Sequence, residues 1–213
     1  MRRALLRGSL RILVEDLCAM GAAPEVTVAA GSHSSTARGF IASVTVVDAT
    51  TAQRPVLDCL LQLYKYDFSE FAPIGSPYGE VDEEGRFASY PGLESYWQDS
   101  GHIPLLIRAD DRLAGFVLVH QWSALDLRLD HGVAEFFVLR KYRRARVGTR
   151  AALLVFRRYP GRWEVPVAWY NPPALAFWRK VTEEAAPGKV EEIAADGKRW
   201  AGPVFRFVTG TAA

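Results

Sequence analysis

The stretch from Glu135 to Thr149 reads Glu-Phe-Phe-Val-Leu-Arg-Lys-Tyr-Arg-Arg-Ala-Arg-Val-Gly-Thr. An apolar strand runs into a basic turn, then a glycine, then an amphipathic helix. That order builds an anion site. The first amides of a helix lack intrahelical partners and point outward. The helix dipole adds partial positive charge at the same end. Arg143, Arg144 and Arg146 sit there too and would add charge-assisted hydrogen bonds. Gly148 lets backbone approach a ligand closely. A diphosphate fits such a site. The alternative is a solvated basic turn leading into an ordinary helix. Neither the Walker-type phosphate-loop spacing nor the Rossmann glycine pattern is present. The histidines (His33, His102, His120, His131) are scattered, with no Ser-His-Asp arrangement and no metal-ligand spacing.

The elements that must position this stretch follow from periodicity. Residues 41–48 are rich in β-branched types and read as a strand, with Asp48, Thr50 or Thr51 able to cap the next helix. From about 52 to 66, Val56, Leu57, Leu60, Leu61 and Tyr64 recur at helical spacing. A long aromatic and acidic connection comes next, broken by Pro73, Gly75, Pro77 and Gly79. Pro91 opens a short helix carrying Leu93, Tyr96 and Trp97. Residues 103–109 and 112–121 form a hairpin turned at Asp110-Asp111. Residues 132–140 are the strongest strand, and a helix over 147–158 ends at Pro160-Gly161. A strand is expected over 163–170 despite Pro166, which hints at a bulge or an edge. Asn171 reads as an N-cap with Pro172 at the first helical position. Strands near 189–194 and 203–208 close the chain. Strands that alternate with helices only in the middle imply a mixed sheet with helices on both faces.

Composition bounds the rest. The chain has 213 residues, 49% of them apolar, enough for one packed domain with a short appendage. A formal charge of +2 is too small for a nucleic-acid partner, which needs a clustered basic face. Cys18 and Cys59 stand far apart without a partner motif, so neither a disulfide framework nor a zinc site is expected. A reducing, cytoplasmic location is the plain reading. Residues 1–40 carry Arg2, Arg3 and Arg7, but Glu15 and Asp16 interrupt any signal-peptide core. No stretch is long and apolar enough to span a membrane. Residues 29–39 are small and polar and read as a linker. We therefore treat 1–40 as an appendage, flexible or contributed by an upstream start codon, and 41–209 as the domain. Detecting a peptide from residues 1–20 by mass spectrometry of the natural protein would exclude the upstream-start idea.

The run Val138 to Gly148, with Tyr142-Arg143-Arg144 ahead of Val147-Gly148, resembles motif A of the GNAT acyltransferase superfamily. That motif is Gln or Arg, two residues, Gly, one residue, then Gly or Ala. Arg143 matches the first position and Gly148 the last, while Arg146 stands where the family has its middle glycine. An arginine there pays more than glycine for unusual backbone angles. Asn171, Ala174 and Phe177-Trp178 resemble motif B. The element order from 41 to 208 also resembles this fold, so the likeness spans nearly all of the chain beyond the appendage. It implies an α/β (α+β) domain with a mixed, mostly antiparallel sheet whose fourth and fifth strands part to admit acetyl-CoA as co-substrate, without metal. It implies that backbone groups of Val138 and Leu139 pair with the pantetheine arm. Amides of Arg143, Arg144, Ala145, Arg146, Val147, Gly148 and Thr149 would hold the diphosphate. Asn171, Phe177 and Trp178 would face the pantetheine or thioester.

The resemblance also implies direct attack of an amine on the thioester. Glu135 is then the general-base candidate, with apolar neighbours able to raise its pKa; the alternative is a carboxylate that faces away into a salt bridge. The family's usual acid is a motif B tyrosine. Trp178 occupies that position and cannot supply the proton, which leaves Tyr170 or water. The segment around Tyr66, Asp67 and Glu70 would receive a cationic amine, or else be a helix end packed on the sheet. Three functions remain open at this point. One is acetyl transfer to a small-molecule amine by a monomer or homodimer. Another is a non-catalytic acyl-CoA-binding module, which Trp178 and Arg146 favour. The third is acetylation of protein lysines or N-termini.

Overall fold

The computed structural model describes residues 41–210. The stretch 1–40, read above as an appendage, lies outside the described residues. In chain order the elements are β1 (Val44–Asp48), α1 (Arg54–Ser69), α2 (Ser95–Gln98), β2 (Ile103–Ala109), β3 (Arg112–His120), β4 (His131–Val138), α3 (Val147–Arg158), β5 (Gly161–Pro166), α4 (Pro172–Ala185), β6 (Glu191–Ala194) and β7 (Pro203–Thr209). Single-turn 3-10 segments precede α1 at Thr51–Gln53 and follow β4 at Arg140–Tyr142. This is the order expected from the sequence.

All seven strands share one sheet in the order β1-β2-β3-β4-β5-β7-β6. Every neighbouring pair is antiparallel except β4–β5. The β2–β3 turn places Asp110 and Asp111 at φ of 46° and 61°, the doubly left-handed turn whose twist suits a two-residue hairpin. The parallel β4–β5 pairing is short: only His131↔Trp163 and Gly132↔Glu164 are in register. Beyond them the two strands diverge, leaving a gap in the middle of the sheet.

Helices cover both faces because strand residues alternate in direction. Leu105, Ile107, Val117 and Val119 point to one face and pack with Val147, Ala151, Val155 and Phe156 of α3 and Trp178 and Val181 of α4. Leu106, Phe116, Leu118 and Phe137 point to the other and pack with Leu57, Leu60 and Leu61 of α1. Helix α1 is preceded by a reciprocal cap: the Thr50 N–H donates to Gln53 Oε1 at 3.0 Å.

The strand expected over 163–170 is observed at Gly161–Pro166. The aromatic pair Trp169-Tyr170 favours strand by type, but the chain leaves the sheet after Val167, whose N–H makes a last bond to Pro203 O at 2.9 Å. A turn closed by Asn171 N–H to Ala168 O at 3.0 Å then leads into α4. That departure frees Trp169 and Tyr170 to border the gap.

Candidate active site

The β4 strand carries a bulge at its centre: Leu118 pairs with Glu135, but Val119 pairs with Val133, so Ala134 has no opposite number. An extra residue turns two successive side chains to one face. Ala134 and Glu135 accordingly both face α1, while Val133 and Phe136 face α3 and α4. Next along this edge, Gly115 of β3 is required by close approach: a Cβ there would lie 1.9 Å from the Phe137 carbonyl oxygen.

Helix α1 delivers the partner. Its buried stripe of Leu57, Leu60 and Leu61 continues one turn later to Tyr64, whose ring packs edge-on against Phe116 and Phe137, both at 5.9 Å. The Tyr64 hydroxyl donates to Glu135 Oε2, and the Tyr90 hydroxyl donates to Glu135 Oε1 at 3.1 Å. Glu135 is only 7% exposed. Burial raises its pKa to about 7, although the two tyrosine hydrogen bonds and the nearby Lys65 charge pull the other way. Burial likewise pushes the Tyr64 and Tyr90 hydroxyls well above the ordinary range, so both remain donors at neutral pH. The carboxyl therefore neither faces away nor sits in a salt bridge.

Three cavities meet at this point. A small one of about 110 Å³ fills the gap between the parted strands, with Val133–Phe136 on one side and Pro166–Tyr170 on the other. A cleft of about 640 Å³ runs from it along Phe136–Val138, past Arg143, Arg144, Arg146, Gly148 and Thr149, to Asn171, Phe177 and Trp178. The third, of about 340 Å³, lies under the 77–91 connection. Glu135 lines the first and third, and Tyr64 lines all three.

The start of α3 opens onto the large cleft. The first intrahelical bond at this end is Arg150 N–H to Arg146 O at 3.0 Å, and no side chain caps the helix. The amides of Val147, Gly148 and Thr149 thus have no intrahelical acceptor. Arg144 and Arg146 both adopt φ of 60°, so Arg146 takes up the left-handed conformation that the family's glycine favours. The Val147 side chain is buried in the core and its backbone alone serves the helix start. Ala145 packs against the core and does not border the cleft.

Ladder alternation decides which β4 groups face the gap. The Leu139 N–H donates to Ala114 O of β3 at 2.8 Å. Residues two apart share that direction, so the backbone groups of Phe136 and Val138 are the ones turned toward the gap. The free edge therefore belongs to Phe136 and Val138, whereas Leu139, expected to present its backbone there, turns its N–H to β3 instead. The Val138 carbonyl already accepts a 2.7 Å bond from Arg143 Nε. Asn171 caps α4, accepting from Ala174 N–H at 3.1 Å. Along the cleft wall Phe177 lies tilted against Phe136 at 5.7 Å, and Trp178 meets it edge-on at 5.0 Å.

The residues expected to receive the amine are placed differently from one another. The Asp67 carboxylate is held by Arg140 Nε at 2.8 Å and by the Arg143 guanidinium, so it is already neutralised. Tyr66 is 61% exposed, beneath the Arg140 guanidinium, and borders none of the three cavities. Glu70 borders the large cleft. Tyr170 borders both the gap and the third cavity; burial and the Glu135 charge push its pKa up to about 12. Sequence reasoning missed Tyr90, which no periodicity singles out, and Tyr64 as a partner of Glu135, which continuing the α1 stripe by one turn would have found. No group of metal-ligating side chains occurs among the described residues.

A model of the acetyltransferase (GNAT) family matches residues 62–182, more than half of the chain. This protein belongs to the GNAT acetyltransferase family. The family draws its acetyl group from acetyl-CoA, and the uncapped helix start beside the parted strands suits that co-substrate's anionic tail. Among solved structures, a GNAT acetyltransferase from Streptococcus agalactiae is similar with a TM-score of 0.57 at 10% identity, over 81% of this chain and 99% of its own. An acetyltransferase from Thermus thermophilus is similar with a TM-score of 0.55 at 14% identity, over 80% and 98%. At such identities these likenesses speak to the fold. Among curated proteins nothing matches.

Proposed function

We propose that this GNAT protein transfers the acetyl group of acetyl-CoA to a primary amine of a small molecule by direct attack on the thioester. One observation carries the reading: a buried carboxyl, Glu135, stands where the strand gap meets a second, bounded cavity, with a pKa of about 7. A base poised near neutrality serves proton transfer best.

Val147–Thr149 amides, with Arg144 and Arg146 alongside, would hold the diphosphate, and Phe136 and Val138 would present backbone to the pantetheine arm. Acetyl-CoA supplies an acyl group already activated as a thioester. Glu135 takes the proton that the amine gives up as the carbon–nitrogen bond forms and the carbon–sulfur bond breaks. The Tyr170 hydroxyl keeps its proton through neutral pH and can hydrogen-bond the departing thiolate. Full proton transfer from a group at about 12 to a thiolate of ordinary pKa near 8.5 is uphill by roughly 5 kcal/mol, so its contribution is the hydrogen bond. A proton on Glu135, at about 7, passes to that thiolate downhill.

A connection arching over the third cavity supports a small acceptor over a protein chain. The glycine-like backbone of Arg146 keeps the cofactor loop competent, and the buried Glu135 where two cavities join supports catalysis over a module that only binds acyl-CoA. The test is thiol release from acetyl-CoA across an amine panel, with mass spectrometry of the product. Glu135→Gln is expected to lower kcat by about 100-fold or more. Undiminished turnover by that variant would remove Glu135 from the mechanism.

A further inference from the structure

We propose that the acceptor is a monoamine on an aromatic or comparably apolar body of one or two rings. This deepens the proposed function and rests on it. The 340 Å³ cavity is walled by Phe68, Phe71, Tyr78, Phe87, Tyr90 and Tyr170, with Glu135 at its inner end. Its size selects a class. An apolar cavity of about 150 Å³ accepts a benzene molecule, so this one holds a ring together with a short aminoalkyl arm, or a fused bicycle. Aromatic walls reward such a body through buried area and edge or face contacts, and they attract the ammonium as it enters.

The charges facing the cavity narrow the class further. They are Glu135, Glu80 and Lys65. The Lys65 ammonium donates to the Ala88 carbonyl, and burial lowers its pKa. Glu80 is exposed on the outer wall. One buried carboxyl therefore serves one amine. A polyamine or amino sugar would bring further ammonium and hydroxyl groups against chiefly aromatic walls that offer no second buried carboxyl and only Glu80 at the exposed rim, and each polar group buried without a partner weakens binding about tenfold or more. Asp67 and Glu70, at the end of α1, border the large cleft and not this cavity, and Asp67 is neutralised by Arg140 and Arg143.

The wall is built, not incidental. Gln62 of α1 grips Phe87 from both sides of its backbone: Phe87 N–H donates to Gln62 Oε1 at 2.8 Å, and Gln62 Nε2 donates to Phe87 O at 3.1 Å. With the Lys65–Ala88 bond, these ties fix the 87–88 segment before any ligand arrives, which lowers the ordering cost of binding.

The test compares kcat/KM for phenethylamine and tryptamine with values for spermidine, kanamycin and a lysine-containing peptide, at saturating acetyl-CoA. The arylalkylamines are expected to lead by about 100-fold, the effect of two unpaired polar groups. Phe87→Ala is expected to lower kcat/KM for phenethylamine at least tenfold while leaving acetyl-CoA affinity, by calorimetry, within twofold. The second readout separates a lost wall from a misfolded chain. Efficient turnover of spermidine, kanamycin or the peptide with poor turnover of the arylalkylamines would overturn the acceptor class and leave acetyl transfer standing. Acetyl-CoA binding with no thiol release on any amine would overturn the underlying activity, and the acceptor class with it.

Discussion

Replacing Tyr64 with phenylalanine removes one hydroxyl from the Glu135 carboxylate and little else. The ring contacts with Phe68 at 4.6 Å, and with Phe116 and Phe137 at 5.9 Å, survive the change. In the native protein burial raises the Glu135 pKa, while hydrogen bonds from Tyr64 and Tyr90 favour the ionised form and hold it to about 7. A hydrogen bond to a charged group contributes about 1.5–3 kcal/mol. At about 1.36 kcal/mol per pH unit, losing one moves the carboxyl upward by roughly one to two pH units. The assay is kcat/KM against pH from about 5.5 to 9.5, read as thiol release at saturating acetyl-CoA. After division by the fraction of unprotonated amine at each pH, the native enzyme should show an acidic limb centred near pH 7, with a value at pH 6 of about one tenth of the plateau. Tyr64→Phe should move that limb to about pH 8–9. The amine's own deprotonation is the same in both enzymes, so the difference isolates the carboxyl. A limb that stays in place, or moves to lower pH, would refute the reasoning, because it would mean that Glu135 is not the group seen in the rate.

Other outcomes follow from single residues. Glu135→Gln should flatten the pH dependence of stability: its folded pKa of about 7 lies above the ordinary 4.5, so the folded state holds a proton that the unfolded chain has released, and native stability falls as pH rises across that window by at most about 3 kcal/mol. Thermal melts from pH 4.5 to 8 would check this. Arg146→Gly relieves a left-handed φ of 60°, a gain of about 1–2 kcal/mol partly offset by glycine's chain entropy, so Tm should rise by roughly 1–4 °C while acetyl-CoA affinity falls with the lost cation. Gly115→Ala drives a methyl to 1.9 Å from the Phe137 carbonyl and should lower stability by about 2 kcal/mol or more in denaturant titration, with β4 displaced at Phe137 and Val138. Asp67→Asn removes a carboxylate from the large cleft's border and should tighten acetyl-CoA binding by up to about fivefold at low salt, measured by calorimetry, with a Tm change of a few degrees at most.

The fold was legible because its elements obey strong periodicities. The apolar stripe of α3 and the Asn171-Pro172 start of α4 fall where spacing and capping chemistry put them. Strand β5 was overextended because Trp169 and Tyr170 favour strand by type, whereas tertiary context ends the strand at Pro166 to open the gap. The insertion of β7 between β5 and β6 has no local signature, since sheet order is set by long-range packing. Within the site, the helix start and Glu135 could be read from a run of fifteen residues. The bulge at Ala134, which turns Glu135 toward α1, leaves no mark in residue types. Tyr90 reaches Glu135 from 45 positions away, through a connection without periodicity. Asp67 looked available for an amine only because its two arginine partners lie more than 70 positions downstream.

A crystal structure of the protein with coenzyme A bound tests the cofactor site most directly. Diphosphate oxygens should lie within hydrogen-bond distance of the Val147, Gly148 and Thr149 amides, with the thiol in the gap between β4 and β5 near Glu135. A coenzyme bound elsewhere, with those amides facing solvent, would contradict the assignment of the α3 start as the phosphate grip.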